Sequence, residues 1–122
     1  MRHNIYLAQR FVHGLGYERF RSDELYFYAV TRCLEIISEA SRRVPQEIKA
    51  RHPDVPWAEM AAAGNIYRHE YEDVAQRRVW GTVEKRLPPL LAAVEQEAAR
   101  PRGVAVIYDY LPGSTACEVQ VC

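Results

Sequence analysis

Between Tyr26 and Val44 the apolar residues Tyr26, Val30, Cys33, Ile37, Ala40 and Val44 step by four, three, four, three and four. That spacing marks one face of an α-helix, because 3.6 residues complete a turn and neighbours three or four apart share a side. Phe27 and Leu34 add a second apolar stripe beside the first. A helix apolar on two faces needs two packing partners, which in 122 residues predicts a central bundle position, a dimer interface, or both. Ser22 reads as the amino-terminal cap, with Asp23 and Glu24 in the first turn and Arg42 and Arg43 in the last, charges that suit the helix dipole. The stripe reads as core, not as a cofactor box.

The rest of the chain punctuates into further helices. A first helix is expected over residues 3–13, ended by Gly14 and Gly16. Pro45 can open a short helix over residues 45–51, and His52-Pro53-Asp54-Val55-Pro56 then forces an extended connection. Trp57 begins a helix expected over residues 57–70. A last helix, over residues 74–99, repeats Trp80, Val83, Leu87, Leu90, Leu91, Val94 and Ala98. Pro88 and Pro89 remove two backbone donors from it, so it should kink there or stop at Leu87 and restart. From Pro101 the pattern changes: residues 104–108 are strand-like and Leu111-Pro112-Gly113-Ser114 signals a turn. One strand makes no sheet, so residues 101–122 are read as a short irregular tail without chemistry. The fold class is all-α, with one domain over residues 1–100.

Sixteen basic and sixteen acidic side chains balance to zero net charge, which excludes a global positive field for nucleic acid; any RNA contact must come from local clustering. Cys33, Cys117 and Cys122 match neither zinc nor redox-pair spacing, and the expectation is a reduced cytoplasmic protein. The amino terminus has no apolar signal region, and no run reaches the roughly 20 apolar residues of a membrane span, so a soluble, unexported chain is expected.

The chemistry concentrates in Asn65-Ile66-Tyr67-Arg68-His69-Glu70-Tyr71. At about 100° per residue, Asn65 and His69 fall on one line of a helix, and Gly64, Arg68 and Tyr71 on the next. An imidazole titrates near neutrality, and an adjacent guanidinium can hold a phosphate or a pentavalent phosphorus transition state. In that scheme His69 activates a ribose 2′-hydroxyl or protonates the leaving 5′-oxygen, Arg68 compensates the growing charge, and Asn65 orients the imidazole. No cofactor is required. The plainer alternative is a histidine that makes only capping or interface hydrogen bonds. Metal binding is disfavoured, because His3, His13 and His52 show no pairing at the spacing a zinc helix needs.

The order of these features resembles the HepT-like family of the HEPN superfamily, the toxin half of type VII HEPN/MNT toxin–antitoxin pairs. The residues that carry the resemblance are Phe20 and Asp23; Leu34-Glu35-Ile36-Ile37-Ser38-Glu39-Ala40; Pro53-Asp54-Val55-Pro56-Trp57; residues 65–71; Val79-Trp80; and Leu87-Pro88. The resemblance covers residues 4–95. It implies an antiparallel bundle of four to five helices that forms a homodimer through its long helices, with a paired RNA-cutting cleft. It also implies an Arg, spacer, His-x-Tyr site, in which the motif His and Tyr correspond to His69 and Tyr71 and the Asn after the Arg to Asn65. The motif Arg itself has no counterpart: Gly64 stands there, and Arg68, one turn on, is the available guanidinium. By the same resemblance the partner is an MNT-type nucleotidyltransferase antitoxin that attaches AMP to Tyr71, which would fill the cleft with negative charge and repel RNA.

Three readings stand at this point. One is a metal-independent ribonuclease toxin neutralised by a nucleotidyltransferase. Another is an inactive HEPN-fold module that binds nucleotide, RNA or a partner protein. The third is a structural helical dimer in an unrelated complex.

Overall fold

A computed structural model describes residues 1–64 and 72–100. Among them the fold is all-α: α1 (Arg2–Val12), α2 (Tyr17–Ser22), α3 (Glu24–Arg42), α4 (Gln46–Arg51), α5 (Trp57–Ala62), α6 (Glu72–Gly81), a π-helical turn (Thr82–Arg86) and α7 (Leu87–Ala99).

The two-faced helix is the centre of the bundle. α3 packs against α1, α2, α5 and α6. Val30, Cys33, Leu34, Ile37, Ala40 and Val44 of its stripes are buried, and Tyr26 and Phe27 lie partly buried against the same core. α1 contributes Ile5, Ala8 and Val12 to that core. Its start lies beside the end of α7: Arg2 and Tyr6 reach Glu95 at 2.8 and 2.6 Å.

The amino end of α3 differs from the sequence expectation. Ser22 is not its cap but the last residue of a separate short helix, α2, where its hydroxyl donates to the Arg19 carbonyl. Asp23 adopts extended backbone and caps α3, its Oδ1 accepting from the Leu25 N–H at 3.0 Å. α2 is fixed by Phe20, which is fully buried and meets Phe27 and Trp80 with ring centroids 6.3 and 5.2 Å away. Six residues cannot hold a helix alone in water; the aromatic contacts supply what propensity does not. Between α1 and α2, Gly14 takes a φ of 79° while the Leu15 N–H donates to the Val12 carbonyl, a left-handed turn that favours glycine.

The prolines restart the last helix without ending it. Pro88 would clash with the Glu84 carbonyl in a regular α-helix. The chain widens one turn instead, the Leu87 N–H donating to the Thr82 carbonyl five residues back, and α7 begins at Leu87 with the prolines in its first turn. The core pattern uses this widening. Ala75, Val79, Val83 and Leu87 are all buried at successive steps of four. Each such step rotates the stripe by about 40° in a regular α-helix, and a π turn takes up part of the drift. Val79, not Trp80, is the fully buried residue here, with Trp80 partly buried among the aromatic rings. No helix among the described residues is long and apolar enough to cross a membrane.

Candidate functional site

Asn65, Arg68, His69 and Tyr71 lie outside the described residues, as do Cys117, Cys122 and residues 101–122. The elements on either side are described: α5 and Gly64 lead into the segment, and α6 leads out of it.

The carboxyl end of α5 is tied to α3. Ser38 Oγ donates to the Ala61 carbonyl at 2.7 Å, and Arg42 Nη1 donates to the same carbonyl and to Ser38 Oγ. A guanidinium at this end suits the helix dipole. Arg42 Nη2 is in turn held by Glu39 at 2.8 Å, and this contact with Arg42, backed by Arg43, keeps the Glu39 carboxyl below the usual carboxylate range. Three residues beyond Ala61, Gly64 is buried against α3. A Cβ there would lie 3.1 Å from Ser38 Cβ, 3.2 Å from Ser38 Oγ and 3.4 Å from the Glu35 Cα. At the position where the resemblance expects an arginine, the backbone is pressed onto a neighbouring helix.

A buried ion cluster fixes the connection into α5. Glu97 of α7 is 2% exposed and receives Arg51 through Nε at 3.1 Å and Nη2 at 2.7 Å, a two-pronged pairing. His52 Nε2 lies 2.6 Å from Oε2, the oxygen that also accepts from Arg51 Nε, and the His52 carbonyl accepts from Trp57 Nε1 at 3.0 Å. The Arg51 hydrogen bonds outweigh the cost of burial and hold the Glu97 carboxyl down at about 2. Through His52 and Trp57 the end of α7 thus sets where α5 starts.

Between α5 and the start of the π turn runs a groove of about 510 Å³. Small residues, Ala62, Ala63, Gly81 and Thr82, line it together with Arg78, Lys85 and Arg86, and Glu59 supplies its carboxylate. Glu59 pairs with Arg86 across the groove. Among the described residues no group of three His, Cys, Asp or Glu side chains is placed to hold a metal ion. Cys33 is buried, and burial pushes its thiol up to about 11, so it remains protonated and unreactive at neutral pH.

Sequence reading did not single out the Arg51–His52–Glu97 cluster or the groove. Glu97 carried one weak signal, falling in the spacing of Leu90 and Val94 where an apolar residue would continue the stripe. Its partners lie in another helix and in no sequence pattern.

Comparison with known proteins places residues 1–97 in the family model described as ribonuclease HepT-like. A protein of Thermococcus cleftensis named "Probable ribonuclease HepT" is 38% identical over 92 residues, covering 75% of this chain and 84% of that protein. A protein of Caldanaerobacter subterraneus subsp. tengcongensis, an RNase by its name, is 37% identical over 91 residues, covering 75% and 80%. One of Methanocaldococcus jannaschii, also an RNase by name, is 35% identical over 85 residues, covering 70% and 78%. No solved structure matches. With the family model spanning residues 1–97 and these relatives aligned over most of their own length, the chain belongs to the HepT-like ribonuclease family.

Proposed function

We propose that this protein is a metal-independent endoribonuclease of the HepT-like toxin type, acting as a cytoplasmic homodimer. The observation that carries the reading is the family match over residues 1–97, a range in which Asn65, His69 and Tyr71 stand. His69 is the proton-transfer group and Asn65 orients it. Arg68 stabilises charge on the phosphoryl oxygens. The partner is a nucleotidyltransferase antitoxin that adds AMP to Tyr71 and blocks the cleft by charge and bulk.

The experiment is cleavage of a defined RNA in the presence of chelator by wild type and His69→Ala, with helicity and dimerisation checked in both. Loss of a proton-transfer group should cost on the order of 100-fold or more in rate. Equal cutting by both proteins would remove His69 from the mechanism. Retention of a dimer at micromolar concentration tests the assembly, and incorporation of AMP into wild type but not Tyr71→Phe tests the modification.

Gly64 favours a second reading, an inactive module that binds RNA or its partner. The motif arginine is missing, and the backbone there is packed too closely against Ser38 to leave ready room for a side chain. Absence of cleavage by wild type, with RNA binding retained, would select it.

A further inference from the structure

We propose that the groove between α5 and the π-helical turn carries the sugar–phosphate backbone of a single RNA strand beside segment 65–71; this rests on the ribonuclease reading above. The groove is built on the two elements that lead into and out of that segment, α5 and α6 with its π extension. Substrate running through the cutting site must pass one of the surfaces next to it.

The charge is right for phosphates. Among the described residues, Arg78, Lys85 and Arg86 line the groove together with one carboxylate, Glu59, in a chain whose overall net charge is zero. Cationic side chains along a concave wall attract a polyanion even where no global field exists. The small residues Ala62, Ala63 and Gly81 leave the wall low enough for a backbone to approach.

The π turn positions one of these cations. In a regular α-helix each step from Arg78 to Thr82 to Arg86 would turn the row by about 40°. The Leu87 N–H to Thr82 carbonyl bond widens the second step and cancels much of that rotation, so Arg86 stays near the line of Arg78 and Thr82.

Glu59 acts as a competitor for the strand. Its ion pair with Arg86 joins side chains that are 58% and 43% exposed, so it is weakly held and a phosphate can take its place. RNA binding exchanges a carboxylate for a phosphodiester at the same guanidinium.

The test is fluorescence anisotropy of a 2′-O-methyl RNA strand, which lacks the nucleophile for cleavage, titrated with the full chain over a range of salt concentrations. Lys85→Glu and Arg86→Gln should each weaken binding by about tenfold at low salt and lower the salt slope by about 0.7. Glu59→Gln should tighten binding by about two- to threefold. Arg10→Glu, an exposed charge reversal on α1, controls for net charge and should change little. Circular dichroism confirms the fold of each variant.

Wild-type affinity in Lys85→Glu and Arg86→Gln would overturn the proposal, as would equal weakening by Arg10→Glu. Displacement of the strand by adenosine triphosphate at the same phosphate concentration would assign the groove to a free nucleotide and also overturn it. Cleavage of unmodified RNA is read in parallel: cutting that needs His69, with binding indifferent to Lys85 and Arg86, removes the groove and leaves the nuclease reading standing. Wild type that neither binds nor cuts brings down both.

Discussion

His52 and Glu97 meet across the bundle with Nε2 2.6 Å from Oε2, an oxygen shared with Arg51 Nε while Arg51 Nη2 holds Oε1. Glu97 is 2% exposed, so its charge depends on these partners, with Arg100 Nε 3.7 Å from Oε1, more than on water. The contact joins the end of α7 to the residue whose carbonyl holds Trp57, the first residue of α5. The helix that enters segment 65–71 is therefore anchored from the far end of the chain.

Removing the carboxylate should be costly. Glu97→Ala is expected to destabilise the fold by about 3 kcal/mol, because Arg51 and His52 lose their common acceptor. Urea denaturation measures this. A midpoint unchanged from wild type would show that the cluster contributes nothing net.

The same group sets an acid limit. The Glu97 carboxyl titrates at about 2 in the folded protein, below its ordinary value of 4.5. A depressed carboxylate contributes stability that is fully present above about 4.5 and is lost as pH falls towards about 2. The shift corresponds to at most about 3 kcal/mol. The urea midpoint of wild type should fall through this window, and Glu97→Gln, lower at neutral pH, should show a flatter dependence. Parallel curves for the two proteins would contradict the assignment.

Gly64→Ala opposes two effects. Alanine gains up to about 1 kcal/mol of helix propensity, whereas crowding a packed site costs about 1–3 kcal/mol. With Ser38 Cβ at 3.1 Å and the Glu35 backbone at 3.4 Å, crowding should win, for a net loss of about 1 kcal/mol. Gly64→Arg, which restores the motif residue, should lose at least as much. A more stable Gly64→Ala, read by denaturation midpoint, would show that α3 yields easily.

Cys33 should resist thiol reagents in the native state. Its thiol is buried and raised to about 11, so little thiolate exists at neutral pH. Mass spectrometry after brief iodoacetamide treatment should find residue 33 unmodified in folded protein and modified in urea. Rapid native labelling would mean that this part of the core opens readily.

The central helix was legible in sequence because local physics decides it. Stripes at helical spacing must be buried, and α3 buries Val30, Cys33, Leu34, Ile37 and Ala40 as its pattern requires. The cap was misplaced by one residue because Ser22 and Asp23 are both good caps, and propensity does not choose between adjacent candidates. α2 escaped notice because six residues carry too little periodicity; what holds it is Phe20 against Phe27 of the next helix and Trp80, sixty residues on.

The sequence by itself determined the helical class, the proline disturbance in the last helix, and the nomination of Asn65, Arg68, His69 and Tyr71 as candidate chemistry. Each of these rests on residue type and on neighbours within a turn or two. Tertiary structure alone decided that Gly64 is pressed against Ser38, that Glu97 joins Arg51 and His52, and that Lys85 and Arg86 line a groove with Glu59. The reason is physical. Close approach and charge pairing depend on distances between helices, and those are fixed only when the whole bundle packs.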